Sequence, residues 1–266
     1  MPIRRRISIP VLEVDAFKSV DYRVMGHAFA CQNDLGRACE EGPYENDLVD
    51  RLLADGFCDV YSQEPIYVTH GDFCKTYFLD LIADGALYEL KAVSLLGGEH
   101  KAQLLNYMLL LDLRCGKLLN FHSDKVQGQL VLSGVTPDAR RAWSDDATRW
   151  KAICSGCGRL RAKMLDLLAD WGAFLEAALY QEALTHFLGG LDEVLQPVPL
   201  ARGPRSLGSQ RMHVIGNSTA FVVTAFTKDH KLREQSLQKL LALTPLDGLQ
   251  WINLDHATIQ FVTLTK

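Results

Sequence analysis

The run Asp80-Leu-Ile-Ala-Asp-Gly-Ala-Leu-Tyr-Glu89-Leu-Lys91 constrains this chain more than any other stretch. Asp84-Gly85 is a hairpin dipeptide, because glycine takes positive φ at little cost. The residues on either side then read as paired strands. Alternate side chains of a strand share a face, so Glu89 and Lys91 project together. If the hairpin brings Asp80 alongside, two acidic groups are placed to hold a hard divalent cation, with the ammonium beside a phosphate or a water. That is the arrangement metal-dependent phosphodiester chemistry needs. A Glu-x-Lys pair also arises as a solvated surface pair of small energetic consequence. Asp80 weighs against that reading, since it lies among apolar residues where an unpaired carboxylate is costly.

The neighbourhood supplies an order of elements. Glu41 to Ala54 reads as a helix with Leu48, Leu52 and Leu53 on one side, stopped by Asp55-Gly56. Gln63 to Val68 and Phe73 to Ile82 read as strands around the turn-like Thr69-His-Gly-Asp-Phe73, and Ala86 to Val93 as a third strand. His100 to Leu111 is apolar at helical spacing and ends near Cys115-Gly116; Lys117 to Phe121 is a fourth strand. The order is helix, three strands, helix, strand.

This order, with Leu35-Gly36, Glu41-Gly-Pro-Tyr44-Glu45, the Asp80 strand, Glu89-Leu-Lys91, His100-Lys-Ala-Gln103-Leu-Leu-Asn106-Tyr107 and Leu118-Leu-Asn120-Phe121, resembles the GxxExxY family of the PD-(D/E)XK nuclease superfamily. The resemblance runs from about Val20 to Phe121. Ala38 stands where the family name calls for glycine, a small change on a helix. Pro43 is tolerated in a first helical turn, where its missing N–H would be unpaired in any case.

The resemblance implies a restriction-endonuclease-like α/β core, a mixed sheet flanked by helices. It implies Asp80 and Glu89 as principal metal ligands, the Leu90 carbonyl as a further oxygen and Glu41 as an extra acidic ligand. Lys91 would stabilise phosphate charge or orient the attacking water, and Gln103 would touch the nucleophile or the phosphate. Oxygen ligands without paired His or Cys favour Mg²⁺ or Mn²⁺ over zinc. Plainer roles stand beside these. Glu41 lies beside Glu40 and Glu45, and acids near a helix start favour the helix dipole. Gln103 equally suits capping or packing, Tyr44 and Tyr107 suit a core, and His100 and Asn106 suit structural hydrogen bonds.

At 266 residues and 48% hydrophobic, the chain can bury one large core or two modest ones. No apolar run reaches the roughly 20 residues that span a bilayer, so no membrane partner is expected. The opening Met-Pro-Ile-Arg-Arg-Arg is basic, but no apolar stretch with a small-residue cleavage site follows. Seven scattered cysteines suit reduced thiols. A cytoplasmic protein is the expectation. Cys154-Ser-Gly-Cys157 lacks a second C-x-x-C or a close His pair, so a turn between helices is the plainer reading than a zinc or iron–sulfur site.

A net charge of -4 conceals an uneven distribution. Between Glu40 and Glu89 only Arg51 and Lys75 are basic, a region that repels phosphate unless a metal neutralises it. Arg140, Arg141, Arg149, Lys151, Arg159, Arg161 and Lys163 outnumber the acids around them. From Val194 to Lys228 there is no acid, while Arg202, Arg205 and Arg211 fall in what reads as a Gly/Pro/Ser-rich loop. Either stretch suits a nucleic-acid backbone or an ordinary basic surface.

Residues 1–126 are thus expected to form the nuclease-like domain and residues 127–266 an α/β accessory region. Leu160 to Leu188 reads there as one long amphipathic helix kinked at Gly172. A strand (Ala220 to Phe226), a helix (Leu232 to Leu243) and two strands around Asp255-His256 follow, and no internal repeat is evident. The expected function is Mg²⁺- or Mn²⁺-dependent hydrolysis of phosphodiester bonds, in DNA rather than RNA because the superfamily resemblance leans that way. The alternative is a nucleic-acid-binding or regulatory protein on a nuclease fold that does not cut. One site suits nicking or end trimming; a homodimer would serve two-strand cleavage.

Overall fold

The computed structural model describes residues 3–266. They form two compact units, one of residues 3–69 with Cys74–Pro137, the other of His70–Phe73 with Asp138–Lys266. Each has its own six-stranded sheet. The fold is α/β: a mixed sheet flanked by helices, followed by a separate C-terminal α/β region.

The first unit begins with β1 (Ile3–Arg5), α1 (Val14–Leu35) and α2 (Glu41–Ala54). Then come β2 (Val60–His70), β3 (Phe73–Ala83), β4 (Ala86–Lys91), α3 (Gly98–Leu110), β5 (Cys115–Asn120) and β6 (Gln127–Leu132). The strands lie in sequence order, β3 antiparallel to β4, β4 parallel to β5, and β5 antiparallel to β6. β4 and β5 are buried along their whole length, as central parallel strands are when helices cover both faces. Tyr44, Leu48 and Leu52, one turn apart on α2, join Phe17, Val24 and Ala28 of α1 over Tyr88, Leu90 and Leu119. On the opposite face Gly116 leaves room for α3: a Cβ there would lie 3.1 Å from Leu104 and 3.2 Å from Met108.

The expected helix–strand order is present, but α1 was not anticipated from the sequence. β6 pairs with β5 from Cys115↔Leu132 to Asn120↔Gln127, so a boundary after residue 126 would strip the sheet of its edge strand. The units divide near Pro137 instead.

The second unit contains α4 (Pro137–Arg141), β7 (Ser144–Arg149), α5 (Gly156–Trp171), α6 (Ala177–Phe187) and the short α7 (Leu191–Val194). β8 (Leu195–Arg202), β9 (Arg205–Ile215), β10 (Thr219–Thr224), α8 (His230–Ala242), β11 (Gly248–Asp255) and β12 (Thr258–Thr265) complete it. Its sheet runs β7-β12-β11-β10-β9-β8. The single long helix expected over 160–188 is two helices. Gly172 at φ +82° terminates α5 rather than kinking it, and its N–H bonds to the Leu168 carbonyl. The expected loop around Arg202 and Arg205 is the β8–β9 hairpin. Cys154 lies between β7 and α5, not in a turn between helices, and Cys157 is in the first turn of α5; their sulfurs are 3.3 Å apart, and Gln250 donates to Cys157.

Candidate active site

β3 and β4 are paired only from Ala83↔Ala86 to Leu81↔Tyr88. Beyond that pair the Leu90 N–H has no partner on β3, and the Asp80 carboxylate accepts it at 2.9 Å. The N–H and C=O of one strand residue point to the same edge, so the Leu90 carbonyl faces Asp80's side of β4. Asp80, Glu89 and Lys91 share the face on which α3 lies, as the two-residue alternation requires.

Glu89 is fully buried. Its Oε1 accepts from Lys91 Nζ at 2.5 Å, while its Oε2 has no hydrogen-bond partner. Lys91 Nζ also lies 3.8 Å from Asp80 Oδ2 and 3.9 Å from Glu41 Oε2. Glu41, in the first turn of α2, reaches β4 from the helix N-terminus and accepts the Ala92 N–H at 3.2 Å. Three of the predicted acids therefore converge on the Lys91 ammonium, and Asp80 also holds the Leu90 N–H. Gln103 is not in that contact set; it donates to the Tyr107 hydroxyl at 3.1 Å. Tyr107 is buried and stacks edge-on against Tyr77, the packing role read from sequence. His100 closes the start of α3 by accepting the Gly97 N–H, a structural bond.

The electrostatics follow from burial. Desolvation, reinforced by the charge of Asp80, pushes the Glu89 carboxyl up to about 8, against the pull of Lys91. Burial works to lower the Lys91 ammonium, but Glu89, Asp80 and Glu41 outweigh it and hold the group above its usual value. The Tyr107 phenol is raised, chiefly by burial.

Glu45, which the sequence offers within Glu41-Gly-Pro-Tyr44-Glu45 but without a role, lies near these acids. One helical turn beyond Glu41, it is buried and accepts from Gln63 at 2.9 Å. Desolvation raises its carboxyl, and Asp80 and Glu41 add to the rise. The i, i+4 spacing of Glu41 and Glu45 was the available signal. Gln63 makes this bond from φ +50°, a conformation uncommon outside glycine. Asn120, fully buried opposite Lys91, clamps the exit of β4: it accepts the Val93 N–H at 3.1 Å and donates to the Val93 carbonyl at 2.8 Å. Beside the acids lies a cleft of about 380 Å³ lined by Cys39, Glu40, Glu41, Ala92 and His122 among others.

Carboxylates, a carbonyl facing the same edge and a buried carboxylate oxygen without a partner fit a hard divalent cation in chemistry. Among the described residues no three His, Cys, Asp or Glu side chains are gathered to hold a metal ion. The acids converge instead on the Lys91 ammonium.

Residues 18–131 match the family model of the PD-(D/E)XK nuclease superfamily. A domain of that superfamily is present. No curated protein and no solved structure matches the chain. The matched span ends within β6 and contains every predicted PD-(D/E)XK site residue. No helix among the described residues is long and apolar enough to cross a membrane.

Proposed function

We propose that the first unit is a Mg²⁺- or Mn²⁺-dependent nuclease of the GxxExxY kind that hydrolyses phosphodiester bonds, with DNA as the favoured substrate. The observation that carries this reading is the convergence of Glu41, Asp80 and Glu89 on Lys91 beside a buried, unpartnered Glu89 oxygen. A lone buried charge is unfavourable unless something compensates it, and this cluster has more acid than its one ammonium balances.

Glu41, Asp80, Glu89 and the Leu90 carbonyl would hold the ion. Bound there, the metal supplies Lewis-acid polarisation and a more available hydroxide near neutral pH. Lys91 then turns from its carboxylate partners toward phosphate charge or the attacking water. Gln103 touches the nucleophile or phosphate, with Tyr107 fixing its amide. Glu45 lies behind the acids and positions Glu41's turn of α2. All seven cysteines are free thiols, which suits a reducing cytoplasm.

A second reading is favoured by one observation: the Lys91 ammonium already stands beside all three acids, where a cation would otherwise sit, as a binding protein on a nuclease fold would require. The two separate in a cleavage assay on labelled single-stranded, duplex and branched DNA and on RNA, in Mg²⁺, Mn²⁺ or EDTA. Metal-dependent cutting that Asp80→Ala and Lys91→Ala both abolish, with folding checked by circular dichroism, supports the nuclease. Tight binding without cutting, indifferent to Asp80→Ala, establishes the second reading.

A further inference from the structure

The second unit repeats the first element by element. β8-β9-β10-α8-β11-β12 has the order, neighbours and directions of β2-β3-β4-α3-β5-β6: each has an antiparallel entry, one parallel crossover through a helix, and an antiparallel exit. The crossover helices α3 and α8 are both 13 residues long. Two pairs of helices, α1–α2 and α5–α6, precede the sheets. Details of hydrogen bonding repeat too. Gly36 at φ +75° ends α1 and accepts from the Tyr44 hydroxyl eight residues on; Gly172 at φ +82° ends α5 and accepts from Tyr180, also eight residues on. Lys91 faces Asn120 across the parallel pair, and Asn120 clamps Val93; Thr224 faces Asn253, which accepts the Phe226 N–H and donates to the Phe226 carbonyl, both at 2.8 Å. The differences are the first strands, β1 lying beside β2 and β7 beside β12, and the short α4 and α7, which have no counterpart in the first unit.

The register then assigns counterparts to the acids. Thr224 stands for Lys91, Val222 for Glu89, Met212 for Asp80, Ala177 for Glu41 and Gln181 for Glu45. No charge remains. Met212, Val222 and Trp251 belong to an apolar cluster on the face that carries Asp80 and Glu89 in the first unit. The Val223 N–H, counterpart of Leu90's, is accepted by the Gln181 amide at 2.7 Å rather than by a carboxylate.

What this copy has instead is a basic arm. β8 and β9 stay paired out to Arg202↔Arg205, whereas β10 covers β9 only over His213–Ile215. Gly203 and Pro204 make the turn, Gly203 at φ +57°, and a register shift accompanies Gly208 at φ +98°. Arg202 and Arg205 sit directly opposite one another, a like-charge pairing that works against the hairpin. With Arg211 they are exposed, and among the described residues none of the three has an ion-pair partner. In the other basic stretch Arg149 pairs with Glu234, Arg161 with Asp145 and Lys163 with Asp166, Arg140 is buried, and Arg141, Lys151 and Arg159 are exposed without being carried on an arm. Pro197 and Pro199 remove N–H groups from the free edge of β8, which disfavours strand addition by another protein. A two-stranded ribbon fits the major groove of a duplex, and guanidinium groups match phosphate.

We propose that residues 138–266 form a second, cleavage-incompetent copy of the nuclease fold, whose β8–β9 arm grips the phosphate backbone of the duplex DNA that the first copy cuts. The inference rests on the nuclease reading above for its substrate.

The test is binding of a fluorescein-labelled duplex, followed by anisotropy across a salt series in EDTA. The full chain is compared with Arg202→Gln/Arg205→Gln and with a control of equal charge loss, Arg4→Gln/Arg5→Gln. The arm variant should bind about tenfold more weakly, with the slope of log K against log salt smaller by about 2. In Mg²⁺ its loss should fall on KM, while Asp80→Ala removes all cutting. Unchanged binding by the arm variant, an equal loss in the control, or residual cutting by Asp80→Ala would each overturn the proposal. A wild-type chain that binds through the arm yet cuts nothing defeats the nuclease reading instead, so the two failures are distinct.

Discussion

β4 of the first unit and β10 of the second are built alike and end differently. Both are buried strands with a parallel neighbour, and both leave the sheet past an asparagine that holds the backbone two residues on. In the second unit the polar groups at that exit satisfy one another: Trp251 donates to Thr224, and Thr224 donates to Asn253. In the first, Glu89 keeps an oxygen without a partner and three acids share one ammonium. A self-satisfied network is what a structural role requires, whereas a buried, incompletely satisfied one marks a candidate site. The backbone frame is common to both; what differs is which exit carries ionisable groups.

The comparison breaks most visibly in activity. Lys91→Ala should reduce metal-dependent cleavage by on the order of 10²–10³-fold, while Thr224→Ala at the equivalent place leaves it unchanged. Equal effects in a turnover assay would mean the second exit takes part in catalysis.

Stability offers a second contrast. A Cβ at Gly172 would lie 2.6 Å from the Arg140 carbonyl oxygen, whereas one at Gly36 meets nothing within 4 Å. Both positions have positive φ. Gly172→Ala should therefore cost more than about 3 kcal/mol, and Gly36→Ala about 1 kcal/mol. Urea melts that rank them the other way would contradict the packing described for α5.

The two asparagines should behave alike in stability and differently in function. Asn120→Ala and Asn253→Ala each leave a backbone N–H and C=O unpaired, costing about 1–3 kcal/mol. Only Asn120→Ala should also slow cleavage, since only it frees the strand end carrying Glu89 and Lys91. Paired denaturation and rate measurements on the two variants check this.

A pH-dependent effect separates the buried acid from its neutral counterpart Val222. Glu89 rises in the fold from 4.5 to about 8, so its protonated form favours folding. Its contribution is complete below pH 4.5 and is lost as the pH climbs through 8. Urea midpoints in EDTA should show wild type losing ground to Glu89→Gln over that window. A constant difference between the two curves would remove the buried carboxylate from the account.

Much of the first unit was legible because its signals are local. Asp84-Gly85 turns the hairpin, two-residue alternation puts Glu89 with Lys91, and the apolar spacing of α2 presents Tyr44, Leu48 and Leu52 to the core. Glu45 was passed over because its burial depends on Gln63, eighteen residues away and in an unusual conformation. The β8–β9 arm read as a loop because Pro, Gly and Ser mask a strand in composition, while edge strands accept proline on their free side. The repetition of the fold left no readable sequence trace. Gly36 with Tyr44 and Gly172 with Tyr180 preserve a hydrogen bond, not a string of residues.

By itself, then, the sequence determined the elements of the first unit, the shared face of Glu89 and Lys91, and the basic stretch free of acids between Val194 and Lys228. These are consequences of chain periodicity and composition, which act over a few residues. Tertiary structure alone decided that Glu41 reaches Lys91 across fifty residues, that Glu89 loses contact with water, and that a second set of strands repeats the first around neutral residues. Burial and strand register are properties of contacts between distant segments, and those exist only once the chain has folded.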